Sequence, residues 1–297
     1  MKRFSKPVLA LGLALLVASA ATIAESSPKP MLWKVSDGDN SLYLLGSFHA
    51  LKPADYPLAA SVDAAFADAE AVAFEMSPEE MTSPGLAAKL VGAARLSQGQ
   101  TLKSLIPAAD WLRLEQYASK RGFPLDNFQG IEPWFVSMVI SLQEMAANGY
   151  DPKIGVDQHL MGLAARAGKR TSGLETADDQ IAALDSMTPV EQQQTLSETL
   201  DEVHDPKGKI DELHDIWRRG DAMALEKAMG MELQQKYPKL YKRINVDRNQ
   251  AWLPKLRVML DNEKSDDTMV VVGSLHLVGA DGLVSQLKSR GYKVEKL

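Results

Sequence analysis

Tyr43-Leu44-Leu45-Gly46-Ser47-Phe48-His49 near the start of the chain has a counterpart near the end, Val270-Val271-Val272-Gly273-Ser274-Leu275-His276, 227 residues later. Each copy is an apolar, strand-like run, then a glycine, then a histidine three positions on. Such a strand places its imidazole in the loop beyond its carboxyl end, the edge of an open α/β sheet where ligands bind. The chain has five histidines, and two of them occupy these phrases. Side by side, the two loops would offer two imidazoles, enough to begin a metal site or an acid–base pair.

Around these phrases the sequence reads as an α/β fold. Leu32–Val35 and Ser41–Gly46 flank Asp37-Gly38-Asp39-Asn40, a turn that predicts a β-hairpin. Alanine-rich 57–69 predicts a helix and Ala71–Glu75 a strand. From about 78 to 265 the pattern is mainly helical, with helices expected at 84–95, 107–121, 132–148, 154–167, 176–185, 188–203, 207–219, 221–236 and 239–262. Prolines 84, 107, 133 and 189 sit at helix starts, and Gly122 and Gly149 at helix ends. One strand, Lys169–Gly173, interrupts this region. The end of the chain returns to strand 268–273, helix 279–290 and strand 291–296. The expected architecture is therefore a mixed central sheet built from both chain ends, with a large, mainly helical insertion.

The 297 residues are 45% hydrophobic and 24% charged, the balance of an ordinary globular protein. Residues 1–24 stand apart: Lys2, Arg3 and Lys6 precede an uncharged apolar run, Val8–Ala21, and Ala18-Ser19-Ala20 offers a small-residue cleavage site, with Thr22-Ile23-Ala24 a second choice. This predicts a cleavable signal peptide, with 25–297 as the folded domain in the periplasm or outside the cell. The run is short for a membrane span, so no stable membrane anchor is expected. Losing the leader moves the formal charge from −6 to −9, and an acidic surface gives no reason to bind nucleic acid. The absence of cysteine excludes disulfides, thiolate ligands, a cysteine nucleophile and a lipidated leader junction.

Other polar residues cluster near the strand ends. Glu75 closes an apolar strand and would face the same edge as His49 and His276, as a metal ligand or a general base. Glu175 follows the inner strand by the same logic. Arg248, beside Asn249, would serve an anionic transition state or a surface ion pair. Asp157 and His159 are two apart on a helix and do not face one way. His204 and His214 lie in charged helical surroundings and are expected to be solvated. There is no nucleophile elbow, zincin motif, phosphate loop or dinucleotide fingerprint.

With these phrases and their order, the chain resembles the TraB/GumN/PrgY family, which includes the Tiki proteases, over Leu32 to Leu297. The resemblance rests on Leu32–Val35, both Gly-x-x-His phrases, Phe74-Glu75, Gly155–His159, Gly173–Ala177 and Arg248-Asn249. The soluble, GumN-like branch fits best, because the membrane-spanning tail of PrgY-like members is missing. Ser47 and Ser274 stand where threonine or alanine is commoner. The resemblance implies a core like those of erythromycin esterase and the ChaN-like proteins, and, from the Tiki members, metal-dependent peptide hydrolysis. It makes His49, His276 and Glu75 the metal ligands, with Mn, Co or Zn as the divalent ion. Glu75, Arg248 and Glu175 become the catalytic carboxylates and cation, and Gly46, Gly273, Asp157, His159 and Asn249 the supporting residues. The partner would be a peptide or small-molecule substrate. Two alternatives stand beside hydrolysis: a protein that sequesters a peptide without cleaving it, and an accessory factor for exported polysaccharide. The oligomeric state is left open.

Overall fold

In a computed structural model, which describes residues 27–203, 208–262 and 266–297, six strands form one mixed sheet. They are β1 (Leu32–Ser36), β2 (Ser41–Ser47), β3 (Ala71–Met76), β4 (Arg170–Glu175), β5 (Thr268–Gly273) and β6 (Lys293–Lys296), in the spatial order β4-β3-β5-β2-β1-β6. The predicted hairpin is present, with Ser36 opposite Ser41 and Leu32 opposite Leu45. β2, β5, β3 and β4 run parallel; β1 is antiparallel to β2, and β6 is antiparallel to β1 and so points the same way as the central four. The signal-peptide reading falls on residues outside those described, as does His204.

The central strands owe their place to continuous apolar character. All seven residues of β2 are buried, as are the first five of β5, the signature of strands covered on both faces. Their side chains alternate between two cores. Leu42, Leu44, Ala73, Val270 and Val272 face one way, against Trp252, Leu256 and Leu260 of the helix Asp247–Asn262 and Leu283 and Leu287 of Leu283–Ser289. Tyr43, Leu45, Val72, Phe74, Met269 and Val271 face the other, against Val62 and Ala65 of Ala60–Asp68 and Leu160 and Ala164 of Val156–Ala167.

The helical insertion carries apolar cores of its own. Trp111, Leu114 and Tyr117 meet Val136, Ile140, Leu196 and Leu200. Trp134, Met187 and Leu240 form a smaller group. Two long helices predicted from sequence are interrupted. The stretch 221–236 widens into a π-helix at Glu226–Met231, and 239–262 does so at Lys242–Val246. The second widening lies directly before Arg248, and π-turns often re-aim a helix at a site. His214 corrects the sequence reading, being buried rather than solvated, with Nε2 2.9 Å from Asp55 Oδ2. Its charged neighbours Glu212 and Asp215 are exposed, while His214 shares the inner face with Trp217 and Arg218, which joins it on Asp55.

β2 and β5 lie side by side, with Gly46 opposite Val272 and Ser47 opposite Gly273. The two phrases therefore leave the sheet at the same edge. Glu75 near the end of β3 and Glu175 at the end of β4 emerge there too.

Candidate active site

His49 stands two residues beyond β2. Its Nδ1 lies 2.9 Å from Asp157 Oδ1, in the first turn of Val156–Ala167. The Phe48 carbonyl accepts from the Val156 N–H at 3.1 Å, which docks that helix start against the His49 loop. Only glycine fits at 155, because a Cβ there would collide with the His49 carbonyl. Because the carboxylate accepts at Nδ1, Nε2 faces the cleft. Surrounding protein pulls the imidazolium down, although the side chain is 62% exposed, and the charge and hydrogen bond of Asp157, aided by Glu75, raise its pKa to about 9.

His276 is set differently. It lies in the 3₁₀ turn Ser274–Leu277, with its ring against Trp252. Asn249 Nδ2 donates to the carbonyls of His276 and Asp281, so its Oδ1 accepts from His276 Nδ1 at 2.8 Å. Nε2 is then an acceptor, and Arg248 Nη1 donates to it at 3.1 Å. Burial outweighs Glu75, and with Arg248 and His49 it lowers the pKa to about 3. His276 is neutral at physiological pH.

Glu75 Oε1 accepts from the Gly273 N–H at 2.6 Å. Its Oε2 accepts from Arg248 Nη2 at 2.5 Å and Gln180 Nε2 at 3.3 Å. Burial alone would raise this carboxyl, but Arg248, the two histidines and the Gly273 amide hold it at about 2. Glu175 clasps Arg248 through Nε and Nη2 and accepts from Trp252 Nε1 at 3.0 Å. Arg248 Nη1 also donates to the Ile244 carbonyl. A guanidinium has five N–H groups, and the two carboxylates, His276 and that carbonyl engage all of them. Arg248 thus fixes the charges of the floor and has no donor left for a substrate anion.

Among the other predicted residues, Gly46 accepts from Trp217 Nε1 at 3.0 Å, and Ser274 Oγ donates to the Ser47 carbonyl, tying the two phrases together. His159 turns away and packs on Tyr56, as the i, i+2 spacing from Asp157 requires. Trp252 and Gln180 were not singled out from sequence. The i, i+4 spacing of Arg248 and Trp252 was a readable signal for the first, since the indole lies under the guanidinium at 4.7 Å.

A three-ligand metal site would need His49 Nε2, His276 Nε2 and a Glu75 oxygen to face one point. A Cβ built on Gly273 would stand 3.2 Å from both His49 Nε2 and Glu75 Oε1, so those two atoms do converge. His276 shows that point its Cδ2, at 3.6 Å, and turns Nε2 to Arg248. Among the described residues no three His, Asp or Glu side chains are grouped to hold an ion. As arranged, the set supplies two donors and does not fit a three-ligand ion.

The floor opens into a cleft of about 510 Å³, within the range of small-molecule and peptide sites. Phe48, Met145, Leu213, Leu225, Ile244 and Leu275 contribute apolar walls, largely from the helical insertion.

A family model described as TraB/PrgY/gumN matches residues 31–296. An uncharacterized protein of Escherichia coli K12, YbaP, is 24% identical over 251 residues, 84% of this chain and 89% of the relative. The YbaP protein of Shigella flexneri matches to the same extent.

Proposed function

This chain belongs to the TraB/PrgY/gumN family, and we propose that it is an exported hydrolase of peptides in which His49, held by Asp157, transfers the proton. The observation that carries this reading is the His49–Asp157 contact at the floor of an apolar cleft. His49 Nε2 is the ring nitrogen left for a ligand, since His276 has given both of its nitrogens to Asn249 and Arg248. In its neutral form His49 takes a proton from a water attacking a bound carbonyl and returns it to the leaving amine. Asp157 orients the ring and stabilises the imidazolium that forms. Glu75, kept ionised by Arg248, favours that imidazolium electrostatically. Export is supported by the basic start and uncharged apolar run of residues 2–21. Among the described residues no helix is long and apolar enough to cross a membrane.

A metal-dependent form of the same hydrolysis is favoured by one observation, the convergence of His49 Nε2 and Glu75 Oε1 beside Gly273. Mn²⁺, Co²⁺ or Zn²⁺ there would supply an activated water. Its third protein ligand, His276 Nε2, would first have to leave Arg248.

The test is cleavage of a peptide library by the purified protein, read by mass spectrometry, beside His49→Ala and with and without a chelator. Products from the wild type that persist under chelation and vanish in His49→Ala support the proton-transfer reading. Products lost on chelation and restored by one ion favour the metal-dependent form. Stoichiometric peptide binding without products would replace hydrolysis by sequestration.

A further inference from the structure

Phe48 and Leu275 hold the same place in the two phrases, directly before His49 and His276. β2 and β5 pair one residue out of step with the repeat, since Ser47, not Gly46, lies opposite Gly273. Side chains alternate along a strand, so a one-residue offset sends equivalent positions to opposite faces of the sheet. Leu45 and Val272 accordingly enter different cores. The separation carries into the loops: Phe48 packs against the core of Leu45, and Leu275 against that of Val272.

Both side chains are only half-buried, and both line the cleft. Each is backed by fixed groups. The Phe48 ring centroid stands 5.7 Å from that of His214, 5.8 Å from Trp217 and 6.3 Å from Tyr150. Asp55 holds His214, and the Gly46 carbonyl holds Trp217. Leu275 leans on Gly230 in the π-turn Glu226–Met231, where a Cβ would stand 3.4 Å from Leu275 Cδ1. Apolar surface left open inside a cleft is surface that a ligand covers. Charge offers no competing rule. Apart from the histidines, the described lining sets three cations, Arg121, Lys209 and Arg248, against three carboxylates, Glu75, Glu144 and Glu202.

We propose that Phe48 and Leu275 form two apolar subsites, one on each side of the floor, which receive bulky apolar side chains flanking the peptide bond to be cut. This deepens the reading of the cleft as a peptide site and rests on it. The residue before each histidine then sets specificity, and the offset pairing of β2 with β5 keeps the two subsites apart.

The test is calorimetric binding of three capped tetrapeptide amides to the purified protein: glycine-phenylalanine-leucine-glycine, and its two forms with alanine in place of phenylalanine or of leucine. Each alanine should weaken binding about tenfold. Leu275→Ala should erase the preference at one of the two positions and Phe48→Ala at the other. If Phe48→Ala does not fold, Phe48→Leu should weaken its preference and leave the other intact. Equal binding of the three peptides by the wild type, no binding of any, preferences unchanged in the variants, or loss of both together in a folded variant would overturn the proposal. Mass spectrometry of the same mixtures reads hydrolysis separately. Two preferences without products contradict the hydrolase and leave the subsites standing; products without preferences do the reverse.

Discussion

Glu75 and Arg248 meet at 2.5 Å between Oε2 and Nη2, at the carboxyl edge of the sheet, with both side chains mostly buried. The contact joins the end of β3 to the helix that follows the π-turn at Lys242–Val246. Through Arg248, Glu75 is coupled to Glu175 and His276. The floor of the cleft is thus one charge network in which each member's ionisation depends on the others.

Removing the hub should be severe. Arg248→Ala leaves two carboxylates buried without their cation, a change that costs on the order of 3–5 kcal/mol. Urea denaturation should show this loss, and Arg248→Lys should recover only part of it, because an ammonium cannot make the forked contact to Glu175. A loss below about 1 kcal/mol would mean the network contributes as weakly as a surface pair.

Acid should destabilise the fold through two groups with the same sign. Glu75 has a folded pKa of about 2 against 4.5, so its contribution is full above pH 4.5 and fades as pH falls toward 2. His276 has a folded pKa of about 3 against 6.5. The unfolded chain therefore binds its proton first, and stability drops as pH falls from 6.5 toward 3. Thermal melts between pH 7 and pH 3 should show a decline that begins near pH 6.5 and is blunted in His276→Gln. A wild-type melting temperature independent of pH down to 4 would contradict the assignment of His276.

The tautomer of His276 is directly observable. Nitrogen–proton correlation NMR should place its proton on Nδ1, since Asn249 Oδ1 accepts there. Asn249→Ala removes that acceptor and the donor to two carbonyls, each loss costing about 1–3 kcal/mol. A proton on Nε2 in the wild type would reverse the roles given to His276 and Arg248.

Gly273 separates a packing role from a catalytic one. A methyl group there would stand 3.2 Å from both Glu75 Oε1 and His49 Nε2. Gly273→Ala should displace the His49 ring and cut peptide turnover by about tenfold or more. Circular dichroism should remain native. Unchanged turnover would place the reacting groups elsewhere in the cleft.

The doubled Gly-x-x-His phrase made much of this arrangement readable. Continuous apolar runs set β2 and β5, and the glycine-to-histidine spacing put both imidazoles at one edge. Glu75 was legible as an acid that ends an apolar strand, and Glu175 as one that follows the inner strand. What each histidine does was not legible, because it depends on contacts distant in sequence: Asp157 with His49, and Asn249 with His276. Arg248 read as serving an anionic transition state or a surface ion pair, since nothing local to it reveals that two carboxylates, an imidazole and a carbonyl consume its donors. His214 read as solvated for a similar reason, its buried partner Asp55 being 159 residues away. The π-turns escaped because a widened turn leaves the helical periodicity nearly intact.

The pH dependence of peptide turnover, in the wild type and in Asp157→Asn, tests the role of His49 most directly. A general base acts in its neutral form, so wild-type turnover should rise from pH 6 and level off near pH 9, where Asp157 and Glu75 place the imidazolium. Asp157→Asn should move that limb down toward 6.5 and lower the plateau by about a hundredfold or more. A wild-type profile that is flat or falls between pH 6 and 9, or a limb that stays in place without the Asp157 charge, would contradict proton transfer by His49.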